Sequence, residues 1–256
     1  MARRKQTAKD RRKTPPHPKP DFEHPFTHRS PDAGNSLDRG RLIGMGQLSG
    51  KEAGMENFLQ YVGEVKGILD QLPMERVRQI CDVLYRAYEN QCTIFVFGNG
   101  GSAALASHLA CDLGKGTHAP CPKGLDMRSV PKIKVFSVTD NVPMITAWAN
   151  DAAYEDIFVE QMDNFIERGD VAFGISGSGN SPNVLKALQL ARQRGAITIG
   201  LTGFQGGKMK DLLDYGIIVP SNSMQQIEDV HLILAHLVFL NIRDRVQALG
   251  VTVGKN

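Results

Sequence analysis

Two short segments of the chain have the composition of anion-binding loops. The first is Gly98-Asn99-Gly100-Gly101-Ser102, which follows the apolar run 93–97, and the second is Ser176-Gly177-Ser178-Gly179-Asn180-Ser181, which follows the apolar run 171–175. Glycines let the backbone approach a ligand closely, and N–H groups at the start of a helix bind anions. The serine hydroxyls add further donors. Two such loops, each between an apolar run and a helix-like segment, predict a site for a phosphorylated ligand.

Nucleotide cofactors are not expected at these loops. The first loop lacks the GxGxxG spacing of dinucleotide-binding proteins, and no lysine follows it at the P-loop position. No acidic residue stands in the context that binds a dinucleotide ribose. A small phosphorylated molecule is therefore the favoured ligand.

Four ionisable side chains have the helical spacing needed to share one cleft. His108 and Asp112 are four residues apart, so both project from one face of a helix that starts at the first loop. Glu228 and His236 are about two turns apart in a later helical segment. Two imidazoles and two carboxylates could transfer protons or bind a divalent metal such as zinc. His231, in the apolar stretch 231–240, is expected to be structural.

The elements that would position these side chains alternate between strand and helix. Apolar runs predict strands at 93–97, 133–138, 171–175, 197–201 and 217–219. Helical periodicity predicts two helices before the first strand, from residue 55 and at 73–88, then helices at 102–113, 182–194, 208–213 and 224–246, with helical segments up to about residue 165. This alternation predicts an α/β fold: a doubly wound parallel sheet flanked by helices on both faces, with N-terminal helices.

The first 50 residues differ in composition from the rest of the chain. They contain eleven Lys and Arg against five Asp and Glu, and six of the thirteen prolines lie between Pro15 and Pro31. Such a segment cannot bury enough apolar surface to offset the entropy of ordering, so residues 1–50 are predicted to be a disordered basic tail and 51–256 the folded domain. A tether for acidic surfaces and an extension from an upstream start codon are both compatible with the tail. Because the net charge of +3 arises from the tail, nucleic-acid binding by the folded part is not expected.

The cysteines and the hydropathy predict a reduced protein without membrane contact. Cys81, Cys92, Cys111 and Cys121 form no CxxC pair, and three of them lie in predicted helix or strand segments, so reduced, buried thiols are expected. A zinc knuckle of Cys111, His118 and Cys121 matches no ligand spacing. No apolar run is long enough to cross a bilayer, and prolines follow the basic N-terminus, so a cytoplasmic location is expected.

Five segments together resemble the sugar isomerase (SIS) domain family. They are GNGGSAALASHLACDL at 98–113, ANDAAYEDIF at 149–158, GISGSGNSPNVLKAL at 174–188, LTGFQGGKM at 201–209 and IEDVHLILAHL at 227–237. They occur in the family's order and the similarity spans about residues 55–243. Within the family they are most similar to the phosphoheptose isomerases.

This resemblance implies a flavodoxin-like SIS fold, a phosphorylated sugar as substrate and an activity. The activity is the interconversion of sedoheptulose 7-phosphate and D-glycero-D-manno-heptose 7-phosphate through an enediol(ate), with Asp112 and His236 as catalytic groups. The resemblance implies zinc, bound in some members by the positions of His108, Asp112, Glu228 and His236, and a homotetramer with active sites at subunit boundaries. The implied substrate-binding residues, with the serines around the phosphate, are Asn99, Gly100, Gly101, Ser102, Asp151, Ser176, Gly177, Ser178, Ser181 and Glu228.

Three positions depart from the family pattern. Asp112 stands where glutamate is usual, Glu228 where glutamine is usual, and Gln225 where aspartate is typical. Two alternatives follow: an isomerase of another phosphosugar, or a non-catalytic SIS protein that senses a phosphosugar or contacts a protein partner, as relatives that regulate replication initiation do. Those relatives typically lack residues matching Asp112 and His236, so an enzyme is favoured.

Overall fold

A five-stranded parallel sheet forms the centre of the molecule. The computed structural model describes residues 50–118 and 130–253, so the predicted tail, apart from Gly50, lies outside the described residues. The strands follow the order β2-β1-β3-β4-β5. They are β1 (Ile94–Gly98), β2 (Val135–Ser137), β3 (Val171–Ser176), β4 (Ile197–Thr202) and β5 (Tyr215–Ile218).

Seven α-helices accompany the strands in the described ranges. They are α1 (Gly50–Leu69), α2 (Met74–Glu89), α3 (Gly101–Gly114), α4 (Val142–Asp151), α5 (Val159–Asp163), α6 (Pro182–Arg194) and α7 (Met224–Val253). Short 3₁₀ turns lie at Gly116–His118, Tyr154–Asp156 and Met209–Leu212. The predicted doubly wound α/β fold with N-terminal helices is therefore confirmed.

The strand order places the two Gly/Ser loops side by side. The chain leaves β1 toward β2 on one side, and β3 pairs with the other side of β1, with Gly98 opposite Ile175. This reversal is the switch point of an open α/β sheet, where ligands bind beyond the carboxyl ends of the strands. The loops that follow β1 and β3 both begin at this point.

Alternating strand residues build a core on each face of the sheet. Ile94 and Val96 face a core shared with α2, α3 and α7. Phe95 and Phe97 face a second core, shared with α5 and α6. Strands buried on both faces are the expected consequence of a parallel sheet covered by helices, and they account for the continuous apolar runs in the sequence.

The first helix rests on the last one through polar contacts. The Tyr61 hydroxyl donates to Asp229 Oδ2 at 2.6 Å, and the Gln226 side-chain amide donates to Glu64 Oε2 at 2.6 Å. The hydrogen bond to Asp229 raises the pKa of Tyr61 to about 12. Four large apolar side chains of α1 stay exposed: Met55, Phe58, Leu59 and Val62. We call them the α1 apolar stripe.

One expectation about the cysteines is wrong. Cys81 is buried, but Cys111 is exposed, because Leu109 and Leu113 occupy the core face of α3 and turn residue 111 outward. Cys121 lies outside the described residues. Within the described ranges, no helix combines the length and the apolar character needed to cross a bilayer.

Candidate active site

The two Gly/Ser loops line an open cavity of about 250 Å³ at the switch point. Its walls contain residues of both loops and two side chains of α7, Met224 and Glu228. From the loops they include Asn99, Gly100, Gly101, Ser102, Ser176, Gly177, Ser178 and Ser181. Together with Glu228, these eight residues are the predicted substrate-binding residues except Asp151. The first turns of α3 and α6 begin at the same cavity, so their N–H groups favour an anion there.

A third segment holds the serine loop in place. Gly203 N–H donates to the Gly177 carbonyl at 2.8 Å, and Met209 N–H donates to the Gly179 carbonyl at 2.9 Å. Lys208 N–H donates to Asn180 Oδ1 at 3.0 Å. Gly179 has φ +64°, and a Cβ there would lie 2.6 Å from the Gly206 carbonyl carbon. Glycine at position 179 is therefore needed so that the two backbone segments can touch.

The helices α3 and α7 bring three ionisable side chains together. His108 Nε2 lies 3.3 Å from Asp112 Oδ2, and also 3.3 Å from His236 Nε2. One ligand atom from each of these three residues lies within 4.8 Å of the other two. We call them the His-Asp-His group. The predicted convergence of residues four apart on α3 with His236 on α7 is thus present.

The fourth predicted residue, Glu228, lies beside the group but is not part of it. Its carboxylate lies over the first loop, where a Cβ on Gly101 would be 2.6 Å from Glu228 Oε1. Glu228 lines the serine-loop cavity and a second cavity of about 280 Å³, whose walls include Ser102 and His108. It therefore stands between the anion loops and the His-Asp-His group.

The chemistry of the His-Asp-His group suits a divalent cation. His108 Nε2 approaches both a carboxylate oxygen and a second imidazole nitrogen, but a single N–H can serve only one of these contacts. A bound cation would accept the lone pairs of both imidazole nitrogens and of the carboxylate oxygen at the same time. Two imidazoles and one carboxylate also form the three-residue ligand set of catalytic zinc sites, which leave one coordination position open.

Asp151 is not brought to either cavity. It is the last residue of α4, it is exposed, and its carboxylate accepts from the Asn150 side chain at 2.7 Å. The segment that follows it does reach the site, because the Tyr154 hydroxyl donates to Asn99 Oδ1 at 3.0 Å.

Two polar residues at the site were missed by the sequence analysis, Tyr154 and Asn183. Asn183 lies in the first turn of α6, is buried, and exchanges two side-chain hydrogen bonds with Asn99. The sequence did contain a signal for Asn183, because a polar residue directly follows Pro182 on the side of α6 that also buries Val184. Tyr154 lies in the family-like segment 149–158, but its spacing gave no further signal.

His231 has the structural character expected of it. The ring is buried, and its Nε2 lies 3.1 Å from the Thr202 carbonyl, so Nε2 carries the proton that is donated. Burial lowers the pKa of His231 to about 4. The ring is therefore neutral at physiological pH and does not act as a cationic group.

Comparisons with known proteins agree with this geometry. The sequence profile of the SIS domain matches residues 60–203. Phosphoheptose isomerase of Helicobacter pylori (strain P12) is 38% identical over 183 residues, which are 72% of this chain and 90% of that protein. Phosphoheptose isomerase of Aliarcobacter butzleri (strain RM4018) is 36% identical over 190 residues, covering 73% and 94%.

The solved structure of phosphoheptose isomerase GmhA from Neisseria gonorrhoeae is similar in fold. It superposes with a TM-score of 0.65 at 28% identity, over 75% of this chain and 97% of that chain. The sequence matches and the similarity in fold therefore indicate the same family. The chain belongs to the SIS domain family and, within it, to the phosphoheptose isomerases.

Proposed function

We propose that the chain interconverts sedoheptulose 7-phosphate and D-glycero-D-manno-heptose 7-phosphate. The observation that carries this proposal is that His108, a member of the His-Asp-His group, lines a cavity that shares Gly101, Ser102 and Glu228 with the cavity of the two Gly/Ser loops. The loops supply an anion site for the phosphate, and the group supplies proton-transfer residues. The relatives named phosphoheptose isomerase support the choice of sugar.

The reaction requires a proton to move between two adjacent carbons. A base removes the proton from C1 of the ketose, the electron pair forms the C1–C2 double bond of an enediolate, and negative charge develops on the C2 oxygen. Loss of the O1 proton, protonation of O2 and return of a proton to C2 then give the aldose. We assign the transfer at carbon to Asp112 and the transfer at the neighbouring oxygens to His236.

The phosphate does not react, so its role is to hold the sugar. Ser102, Ser176, Ser178 and Ser181 lie around the cavity and offer hydroxyl donors. Ser176 Oγ and Ser181 Oγ are 3.1 Å apart, which places both hydroxyls at one spot. Binding energy from such a remote handle orients the reacting carbons and so contributes to the rate.

The proposal includes a zinc ion bound by the His-Asp-His group. His108, Asp112 and His236 would hold it, and Glu228 lines the same cavity as His108. When bound there, zinc would polarise the substrate carbonyl and stabilise charge on oxygen, and Asp112 and His236 would then act as its ligands instead of transferring protons. Nucleotide cofactors have no place in the proposal.

We also propose a homotetramer with active sites at subunit boundaries. The α1 apolar stripe supports an assembly, because its four side chains are 58–68% exposed in the single chain. Such a continuous exposed patch on one helix is typical of a surface that a second copy covers. Asp151, which lies away from both cavities of its own chain, would then face a site of a neighbouring subunit.

The non-catalytic alternative is less favoured than an enzyme. A sensor or partner-binding protein needs the anion loops but has no use for a carboxylate and two imidazoles in mutual contact. The test is incubation of the purified protein, first stripped of metal and then reconstituted with zinc, with sedoheptulose 7-phosphate. Formation of the aldose supports the enzyme, and dependence on zinc supports the metal. Saturable binding of the sugar phosphate without product would support the sensor.

A further inference from the structure

A pair of asparagine side chains connects the two ligand loops. Asn99 Nδ2 donates to Asn183 Oδ1 at 2.9 Å, and Asn183 Nδ2 donates to Asn99 Oδ1 at 2.8 Å. Asn99 belongs to the loop after β1, whereas Asn183 belongs to the first turn of α6 and is only 1% exposed. The two amides therefore form a reciprocal pair across the switch point.

The direction of both amides is fixed by a backbone group. Val184 N–H donates to Asn183 Oδ1 at 2.9 Å, and a backbone N–H can only donate. Asn183 must then keep its oxygen toward Val184, which leaves its nitrogen to face Asn99 Oδ1. Neither amide can be rotated by half a turn without placing like atoms against each other.

Tyr154 adds a second constraint on Asn99. Its hydroxyl donates to Asn99 Oδ1 at 3.0 Å. The turn that carries Tyr154 is held against α6 by Lys186, whose Nζ lies 2.9 Å from both Glu155 Oε2 and Asp156 Oδ1. The position of the Tyr154 phenol is thus determined by contacts with α6 and not by the loop after β1 that it contacts.

The side chain of Asn99 has four hydrogen-bonding positions, of which Asn183 and Tyr154 use three. Its oxygen has two lone pairs, and both are used, by Asn183 and Tyr154. Its nitrogen has two N–H groups, and one is used by Asn183. Among the described residues the second N–H has no partner, and Asn99 lines the cavity between the two loops.

We propose that Asn183 and Tyr154 are positioning residues that fix Asn99 as a donor, whose free N–H binds an acceptor oxygen of the bound sugar phosphate. The inference rests on the proposed function for the identity of that ligand. The fixed Asn99 N–H would select for a hydrogen-bond acceptor on the ligand, because a ligand group that could only donate would meet another donor at this position.

The proposal predicts a defect in binding with turnover preserved. Tyr154→Phe keeps the exposed ring and removes one donor to Asn99, so KM for sedoheptulose 7-phosphate should rise roughly 2- to 10-fold with little change in kcat. Tyr215→Phe is the matched control and should leave KM unchanged. Tyr215 is the first residue of β5, so it lies at the end of the strands opposite to the site. Asn183→Asp keeps the acceptor for Val184 N–H but sets an oxygen against Asn99 Oδ1. Its KM should rise by more, on the order of 100-fold.

A double-mutant cycle separates positioning from a general structural effect. In an Asn99→Ala background, where no amide is left to be positioned, Tyr154→Phe and Asn183→Asp should change KM by less than about 2-fold. KM effects that multiply in that background, or a fall in kcat at constant KM, would overturn the proposal. Because Asn183→Asp places a carboxylate in a buried position, its melting curve is measured to check that the variant folds. If it does not fold, the test rests on Tyr154→Phe, which changes an exposed residue.

Failure of the proposed function would be visible separately. If the wild type does not convert sedoheptulose 7-phosphate, the substrate assignment is wrong, and the same cycle is measured by calorimetry on binding of inorganic phosphate to the same cavity. Non-additive losses in the affinity for phosphate would still support the fixed amide. Additive losses would contradict it.

Discussion

His108 Nε2 and His236 Nε2 lie 3.3 Å apart, although 128 residues separate them in the chain. The contact exists because α3 and α7 pack side by side on one face of the sheet. Asp112, one turn after His108 on α3, approaches the same nitrogen of His108. Three groups that can exchange protons or bind a metal therefore meet between these two helices.

Zinc affinity should depend on this contact. Removal of one imidazole by His108→Ala should weaken zinc binding by more than the roughly 10- to 100-fold that loss of an outer hydrogen-bond partner costs. The measurement is a competition titration with a chromogenic chelator. His118→Ala is the matched control, since His118 bonds to Thr117 and Pro131 and is not a member of the His-Asp-His group. Equal zinc affinities for the two variants would contradict the metal assignment.

The serine loop should not tolerate a side chain at Gly179. Gly179→Ala requires a Cβ at φ +64° and in collision with the backbone of Gly206, so the loop must move. We expect KM for the sugar phosphate to rise at least about 10-fold and the melting temperature to fall. In Gly63→Ala the new Cβ meets nothing within 4 Å, so this variant of α1 should keep its KM, and its free energy of unfolding should increase by about 0.5–1 kcal/mol.

Acid should destabilise the fold through His231. Its pKa is about 4 in the folded state, against an ordinary value of 6.5, so between these pH values the unfolded chain binds the extra proton. The free energy of unfolding should therefore decrease as the pH falls from 6.5 to 4, by on the order of 3 kcal/mol from this residue. Denaturant titrations of wild type and His231→Gln, which keeps a donor for the Thr202 carbonyl, isolate the effect. Parallel pH profiles would show that His231 does not cause it.

The proposed oligomer should depend on the α1 apolar stripe. Phe58→Glu places a charge among the three other exposed apolar side chains of the stripe, and burial of that charge between subunits would be costly. Light scattering should show a smaller particle than the wild type. Phe165→Glu, at a similarly exposed phenylalanine outside α1, should leave the mass unchanged. An unchanged mass for Phe58→Glu would remove α1 from the interface.

Much of the fold could be predicted from the sequence, because parallel strands buried on both faces give continuous apolar runs. The strands β1, β3 and β4 lie within one residue of the predicted bounds. The prediction was less accurate at β2 and β5, the two edges of the sheet, where half-buried residues such as Val135 and Tyr215 give a weaker pattern.

The site could be predicted where residues lie close in the chain and less well where the contact is long-range. The helical spacing of His108 and Asp112 predicted their contact, because one turn of helix determines it. The place of Glu228 over Gly101, and the approach of Tyr154 to Asn99, depend on how separate elements pack. No local pattern contains that information.

The most direct test of the account is solvent exchange during turnover, compared between wild type and Asp112→Asn. In deuterated water with sedoheptulose 7-phosphate, the wild type should form the aldose with deuterium at C2, because the proton passes through a group that exchanges with solvent. Asp112→Asn should lower kcat by about 10²- to 10⁴-fold and lose the exchange in parallel, whereas Asp112→Glu should retain both. Wild-type turnover and exchange in Asp112→Asn would contradict the account, because the carboxylate would then have no part in the chemistry.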